Sequence, residues 1–66
     1  MENLGKYFLE LRLQHEYSYQ DIWNELLIPE NQIKAIEENR FTELGPYGVA
    51  KTLVYNYARF LEADVD

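Results

Sequence analysis

The sequence predicts an all-α fold, a compact bundle of four to five helices in one domain covering residues 1–66. Three observations predict it. Apolar residues recur at helical spacing near both ends of the chain, as Leu4, Phe8 and Leu11 and as Ala50, Leu53 or Val54, Tyr57, Ala58 and Leu61. No stretch alternates apolar and polar residues as a half-buried strand does. Between the two ends, Ser18 to Asn39 holds a helix start, an interruption at Leu27-Ile28-Pro29 and a second helix start.

The first helix is predicted over residues 3–16, with Asn3 as N-cap and Leu4, Phe8, Leu11 and Tyr7 on its inner face. Lys6 with Glu10, and Arg12 with Glu16, stand four apart and are expected as pairs on a solvated outer face. The helix must stop before Ser18 without a glycine, so Glu16 or Tyr17 has to make the turn, and Tyr17 is placed to tuck its ring into the core.

Helices over 18–26 and 29–39 follow. Ser18 with Asp21 three residues on places a hydroxyl acceptor and a carboxylate in the positive first turn. Pro29 fits a first turn but not a helix interior, so the second helix starts there, with Ile33 and Ile36 as its buried side. Asn39 suits the left-handed position after its end. Two short helices with so little between them form a helix-turn-helix, of the kind found in repressor-like proteins. Phe41 and Leu44 are expected to pin the loop that leads through Gly45-Pro46 to a last helix over 47–63. That helix carries more large apolar residues than one face can bury. With Val54, Ala58 and Leu61 inward, Leu53, Tyr57, Phe60 and Asp64 form a flanking stripe.

Composition narrows the function. A chain of 66 residues with 47% hydrophobic and 15% aromatic content has enough apolar surface for a core and is not disordered. It has no cysteine, no signal-peptide pattern and no apolar run near the roughly 18 residues of a membrane span, which predicts a soluble domain without disulfides. No catalytic motif is recognisable; His15 reads as a surface residue, and the adjacent Glu37 and Glu38 diverge on a helix and make no metal site. Neither an enzyme nor a cofactor is expected. Six Lys and Arg stand against twelve Asp and Glu, a net charge of −6. Residues 18–40, where a DNA reader concentrates cations, hold Asp21, Glu25, Glu30, Glu37 and Glu38 against Lys34 and Arg40, a net charge of −3. A DNA reading would rest on Glu30, Asn31, Gln32 and Lys34 at the start of the second helix of the pair, with few cations to hold phosphates. Trp23, at a position where the partner helix ordinarily has a small residue, either changes the helix crossing or lies outward.

The residues Leu4-Gly5-Lys6-Tyr7, Leu11-Arg12, Ser18, Ile22, Ile28, Ala35-Ile36-Glu37-Glu38, Phe41 and Tyr57-Ala58-Arg59-Phe60-Leu61 together resemble the cytoplasmic domain of the RodZ family of bacterial cell-shape proteins. The resemblance covers nearly the whole chain, and AIEENRF with NYARFL carries most of it. It implies a domain on the cytoplasmic face of the inner membrane, held there by a transmembrane helix outside these residues. It also implies binding to the bacterial actin MreB, while the acidic charge predicts no nucleic-acid partner. The family's aromatic last helix contributes to the actin contact, which points to Tyr57, Phe60 and Leu53, with Lys34 beside them. The chain departs from the family at Glu16, where glycine is frequent, at Trp23, where alanine is frequent, and at Leu44-Gly45-Pro46, where the family carries Leu-Pro-Gly-Pro.

Overall fold

The computed structural model describes residues 4–63. Four helices follow one another, α1 Leu4–Gln14, α2 Tyr19–Leu26, α3 Glu30–Glu37 and α4 Tyr47–Phe60, with a 3₁₀ turn over Phe41–Leu44. The all-α bundle is the one expected, and each helix runs up to three residues shorter at its ends than its periodicity suggests. Asn3 and Asp64 lie outside the described residues.

The helix ends explain the shortening. Glu16 adopts a left-handed conformation at φ 60°. Its N–H donates to the Leu13 carbonyl while that of Tyr17 reaches back to Arg12, the paired closure that normally selects glycine. Asn39 at φ 61° and Glu62 at φ 60° close α3 and α4 the same way, with Arg40 bonding Ala35 and Ala63 bonding Ala58. At the start of α2, the Ser18 hydroxyl accepts from the Asp21 N–H and the Asp21 carboxylate accepts from the Ser18 N–H, a complete capping box. Leu27, at φ 58°, turns the chain into Ile28-Pro29, and the Pro29 carbonyl accepts the first bonds of α3.

Helix α3 is the central element, contacting α1, α2 and the 3₁₀ turn. The core consists of Phe8, Ile22, Ile28, Ile33, Ala35, Ile36, Leu44, Tyr57, Ala58 and Leu61. It draws on every element and buries Ile33 and Ile36 as expected. Leu4 and Leu11 are half-buried against it, whereas Tyr7 is 38% exposed at its border beside Phe8. Gly5 allows α1 to lie close on the end of α3. A Cβ there would stand 2.6 Å from the carbonyl oxygens of Ile36 and Glu37, so only glycine fits this crossing. The Gly5 N–H, left without a helical partner in the first turn, donates to Asn39 Oδ1 at 2.9 Å.

The outer face expected for Arg12 is a correction. Arg12 is buried, and it pairs with Glu37 of α3 rather than with Glu16. Position 12 lies one residue from Leu11 and four from Phe8, so it borders the inward stripe, and a buried carboxylate opposite makes the burial tolerable.

Candidate functional site

Three regions of the surface and interior bear on function: the interior polar cluster, the outer face of the helix-turn-helix and the outer face of α4. The cluster links all four helices. Arg12 Nε stands 2.7 Å from Glu37 Oε2 and its Nη2 stands 3.2 Å from Oε1. Nη1 donates to the Tyr17 carbonyl and Nη2 to the Tyr19 hydroxyl. The Tyr57 hydroxyl donates to Glu37 Oε2 at 2.5 Å, and the Tyr19 ring lies against the guanidinium at 4.4 Å. Among the described residues, no buried side-chain nitrogen or oxygen lacks a partner. Burial, reinforced by the bond to Glu37, pushes the Tyr57 phenol well above its ordinary range. Burial likewise raises Tyr19, and the hydrogen bond to Glu37 raises Arg12 against the cost of desolvation. Arg12, Glu37 and Tyr57 are buried and partner one another, with Tyr19 half-buried at the edge of the cluster. The arrangement is architectural. Among the described residues, no group of His, Cys, Asp and Glu is placed to hold a metal ion.

Placing Tyr57 in this cluster corrects its expected role at the surface. Tyr57 is 0% exposed and packs edge-on against Phe8 at 5.8 Å. The reason is helical phase: Val54, Tyr57, Ala58 and Leu61 fall at i, i+3, i+4 and i+7, so Tyr57 belongs to the inward stripe. The other expected surface residues of α4, Leu53 and Phe60, are half-buried. Phe60 lies on the Tyr17 ring at 4.7 Å, which in turn stacks on His15 at 5.2 Å. His15 is at the surface as expected, but its Nε2 is 3.1 Å from the Leu61 carbonyl, joining the end of α1 to the end of α4. The rings that α4 does present are Tyr47, 81% exposed, and Tyr55, 54% exposed, the latter with the Arg59 guanidinium 5.6 Å from its centroid. A phase assignment based on Ala58 and Leu61 would have found Tyr55, which turns away from the inward stripe with Arg59, whereas Tyr47 shares the phase of Val54 and Leu61 and is exposed at the helix's first residue.

On the helix-turn-helix, Glu30, Asn31 and Lys34 are exposed together on the first turns of α3, and Gln32 is half-buried beside them. Lys34 Nζ is 2.9 Å from Glu30 Oε2 and 5.7 Å from the Tyr19 ring centroid. The bond to Glu30 raises the Lys34 pKa and holds its charge inside the domain's own pairings. Arg40 is similarly engaged by Glu38 and Glu43. Trp23 lies outward, 43% exposed, the second of the two placements expected for it. The Lys34 of the expected actin-binding set stands on α3, apart in sequence and element from Leu53 and Phe60 on α4.

Among the described residues, no helix is long and apolar enough to cross a membrane. No curated protein matches the chain, and no solved structure does. A family model described as a helix-turn-helix domain matches residues 7–66, nearly the full sequence, and the chain therefore belongs to the helix-turn-helix domain family.

Proposed function

We propose that this helix-turn-helix domain is a non-enzymatic protein-interaction module of the RodZ type. In this reading it binds the bacterial actin MreB and couples its filaments to the membrane-bound wall-elongation machinery from the cytoplasmic face of the inner membrane. The observation that supports it most is the set of large side chains α4 leaves at least partly open, Tyr47 and Tyr55 exposed and Leu53 and Phe60 half-buried on the flank opposite Tyr55. Aromatic side chains that offer large area at small entropic cost are the usual anchors of a protein contact. The proposed contact set is Leu53 and Phe60 on one flank of α4 and Tyr55 on the other, with Lys34 apart from them on α3; Tyr57 supports it from inside by fixing the phase of α4.

Charge argues in the same direction. A DNA reader needs cations around its recognition helix, and here Lys34 and Arg40 are paired with Glu30, Glu38 and Glu43 in a chain of net charge −6. DNA reading by Glu30, Asn31, Gln32 and Lys34 is the alternative, favoured only by the exposure of Asn31 on the first turn of α3. Co-pelleting with polymerised MreB separates the two. Tyr55→Ala and Phe60→Ala are expected to leave the domain in the supernatant while Tyr57→Phe still pellets. Pelleting of all three at the parent level would overturn the actin reading, and salt-sensitive duplex binding lost in Lys34→Ala would establish the alternative.

A further inference from the structure

An open groove of about 340 Å³ lies between α2 and α3, beside Lys34 and away from the α4 residues of the proposed actin contact, lined by Tyr19, Gln20, Trp23, Pro29 and Glu30. Its walls are of two kinds. Trp23 and Tyr19 offer aromatic surface and Pro29 an apolar ring, while Glu30 supplies a carboxylate at the rim. Electron-rich ring faces beside a carboxylate attract a cation and the methylene stem that carries it. The domain already demonstrates the preference internally. Lys34 places its ammonium between Glu30, at 2.9 Å, and the Tyr19 ring, at 5.7 Å from its centroid, while Arg12 lies 4.4 Å from the same centroid. The contact to Lys34 uses Glu30 Oε2. Apart from Glu37, which is buried against Arg12, the segment 18–40 carries Asp21, Glu25, Glu30 and Glu38 against Lys34 and Arg40, a net charge of −2 that disfavours a nucleic-acid backbone and draws a basic chain.

We infer that the Tyr19–Trp23–Glu30 groove is a docking site for a basic peptide segment of a partner protein, seating an arginine or lysine on the Trp23 indole with its charged head at Glu30. Lys34 is then an internal competitor for the same carboxylate. Its removal should strengthen binding, the opposite of its effect on DNA.

Trp23 is the single tryptophan of the chain, so its fluorescence reports the groove directly. The probe is a fluorescein-labelled, tryptophan-free peptide of alternating leucine and arginine, followed by anisotropy, with its unlabelled form used for the Trp23 signal. A version with glutamate for arginine is the control. Expected are saturable binding of the arginine peptide alone, weakening of about fivefold or more in Trp23→Ala and Glu30→Gln, and tightening of about threefold in Lys34→Ala. Glu43→Gln and Lys51→Ala, which make the same charge changes elsewhere, should leave the affinity within about twofold. Phe60→Ala should also bind normally, which keeps this site distinct from the actin contact. Circular dichroism verifies folding of each variant, and Trp23 is exposed enough for its loss to leave the core intact. Equal weakening in Glu30→Gln and Glu43→Gln would reduce the effect to general attraction and overturn the site. So would a Trp23 signal that responds to duplex DNA and not to the peptide, or one that changes with domain concentration alone.

Discussion

The Tyr57 hydroxyl donates to Glu37 Oε2 at 2.5 Å inside the core, so the last helix is tied to the central one by a bond that water does not reach. The same carboxylate receives the Arg12 guanidinium from α1 and thereby gathers three helices on one side chain. Truncating one member of such a set leaves the others buried without partners, which costs more than the pair contributes.

Glu37→Ala is therefore predicted to destabilise the domain by about 3–5 kcal/mol, because Arg12 would be left as an uncompensated buried charge. Replacing both partners together, as Arg12→Met with Glu37→Leu, should cost less than Glu37→Ala alone. Urea unfolding followed by circular dichroism gives both values. A double variant less stable than the single one would show that the cluster stabilises by more than mutual compensation.

The raised Tyr57 phenol makes stability depend on alkaline pH. Its ionisation is opposed in the folded state by burial and by Glu37, so its folded pKa lies above the unfolded value near 10. The unfolded chain releases this proton first. Stability from this group is complete below about pH 10 and falls as pH rises from there toward the folded pKa. Tyr57→Phe should flatten the decline measured in urea between pH 9 and pH 11, with the remaining slope due to Tyr19 and Lys34, whose pKa values are also raised. An unchanged slope in Tyr57→Phe would count against the assignment.

The contrast between Tyr57 and Glu37 marks what the sequence could convey. Local signals were legible: the Ser18–Asp21 capping box, the Pro29 start of α3, the left-handed Asn39 and the choice of Glu16 or Tyr17 for a glycine-free turn, which the structure resolves at Glu16. Each is set within a few residues. The Arg12–Glu37 pair closes across 25 positions, and no local pattern separates a buried arginine from one on a solvated face. Tyr57 was legible in principle, because it shares its phase with Val54, Ala58 and Leu61. The surplus of rings on α4 obscured it, and the exposed members are Tyr47 and Tyr55. The 3₁₀ turn at Phe41–Leu44 gave no signal of its own, since the Gly45-Pro46 punctuation lies just beyond it.

Gly5 carries a steric prediction. A methyl group there meets two backbone oxygens at 2.6 Å, and backbone cannot rotate away as a side-chain tip can. Gly5→Ala should force α1 off the end of α3 and weaken the bond from its N–H to Asn39, destabilising by about 2 kcal/mol despite alanine's better helix propensity. Thermal unfolding tests it, and a Tm at or above the parent's would mean that the two helices slide apart without cost.

The helix ends predict a gain. Glu16 and Glu62 occupy left-handed positions that cost a non-glycine residue about 1–2 kcal/mol, and each places a carboxylate at the negative end of a helix. Glycine removes the strain and the charge, but it also loosens the unfolded chain, which takes back about 0.4–1 kcal/mol. The balance is a stabilisation of about 0.5–1 kcal/mol for Glu16→Gly, and the same for Glu62→Gly. The two sites flank the His15–Leu61 contact that joins the ends of α1 and α4, so the double variant is expected to depart from the sum of the single ones. For a domain of this length each kcal/mol moves Tm by about 4–8 °C, within easy reach of calorimetry. Glu16→Ala separates the two causes: it removes the charge and keeps the strain, so it should recover only a few tenths of a kcal/mol. A Glu16→Ala as stable as Glu16→Gly would assign the effect to charge rather than to backbone conformation.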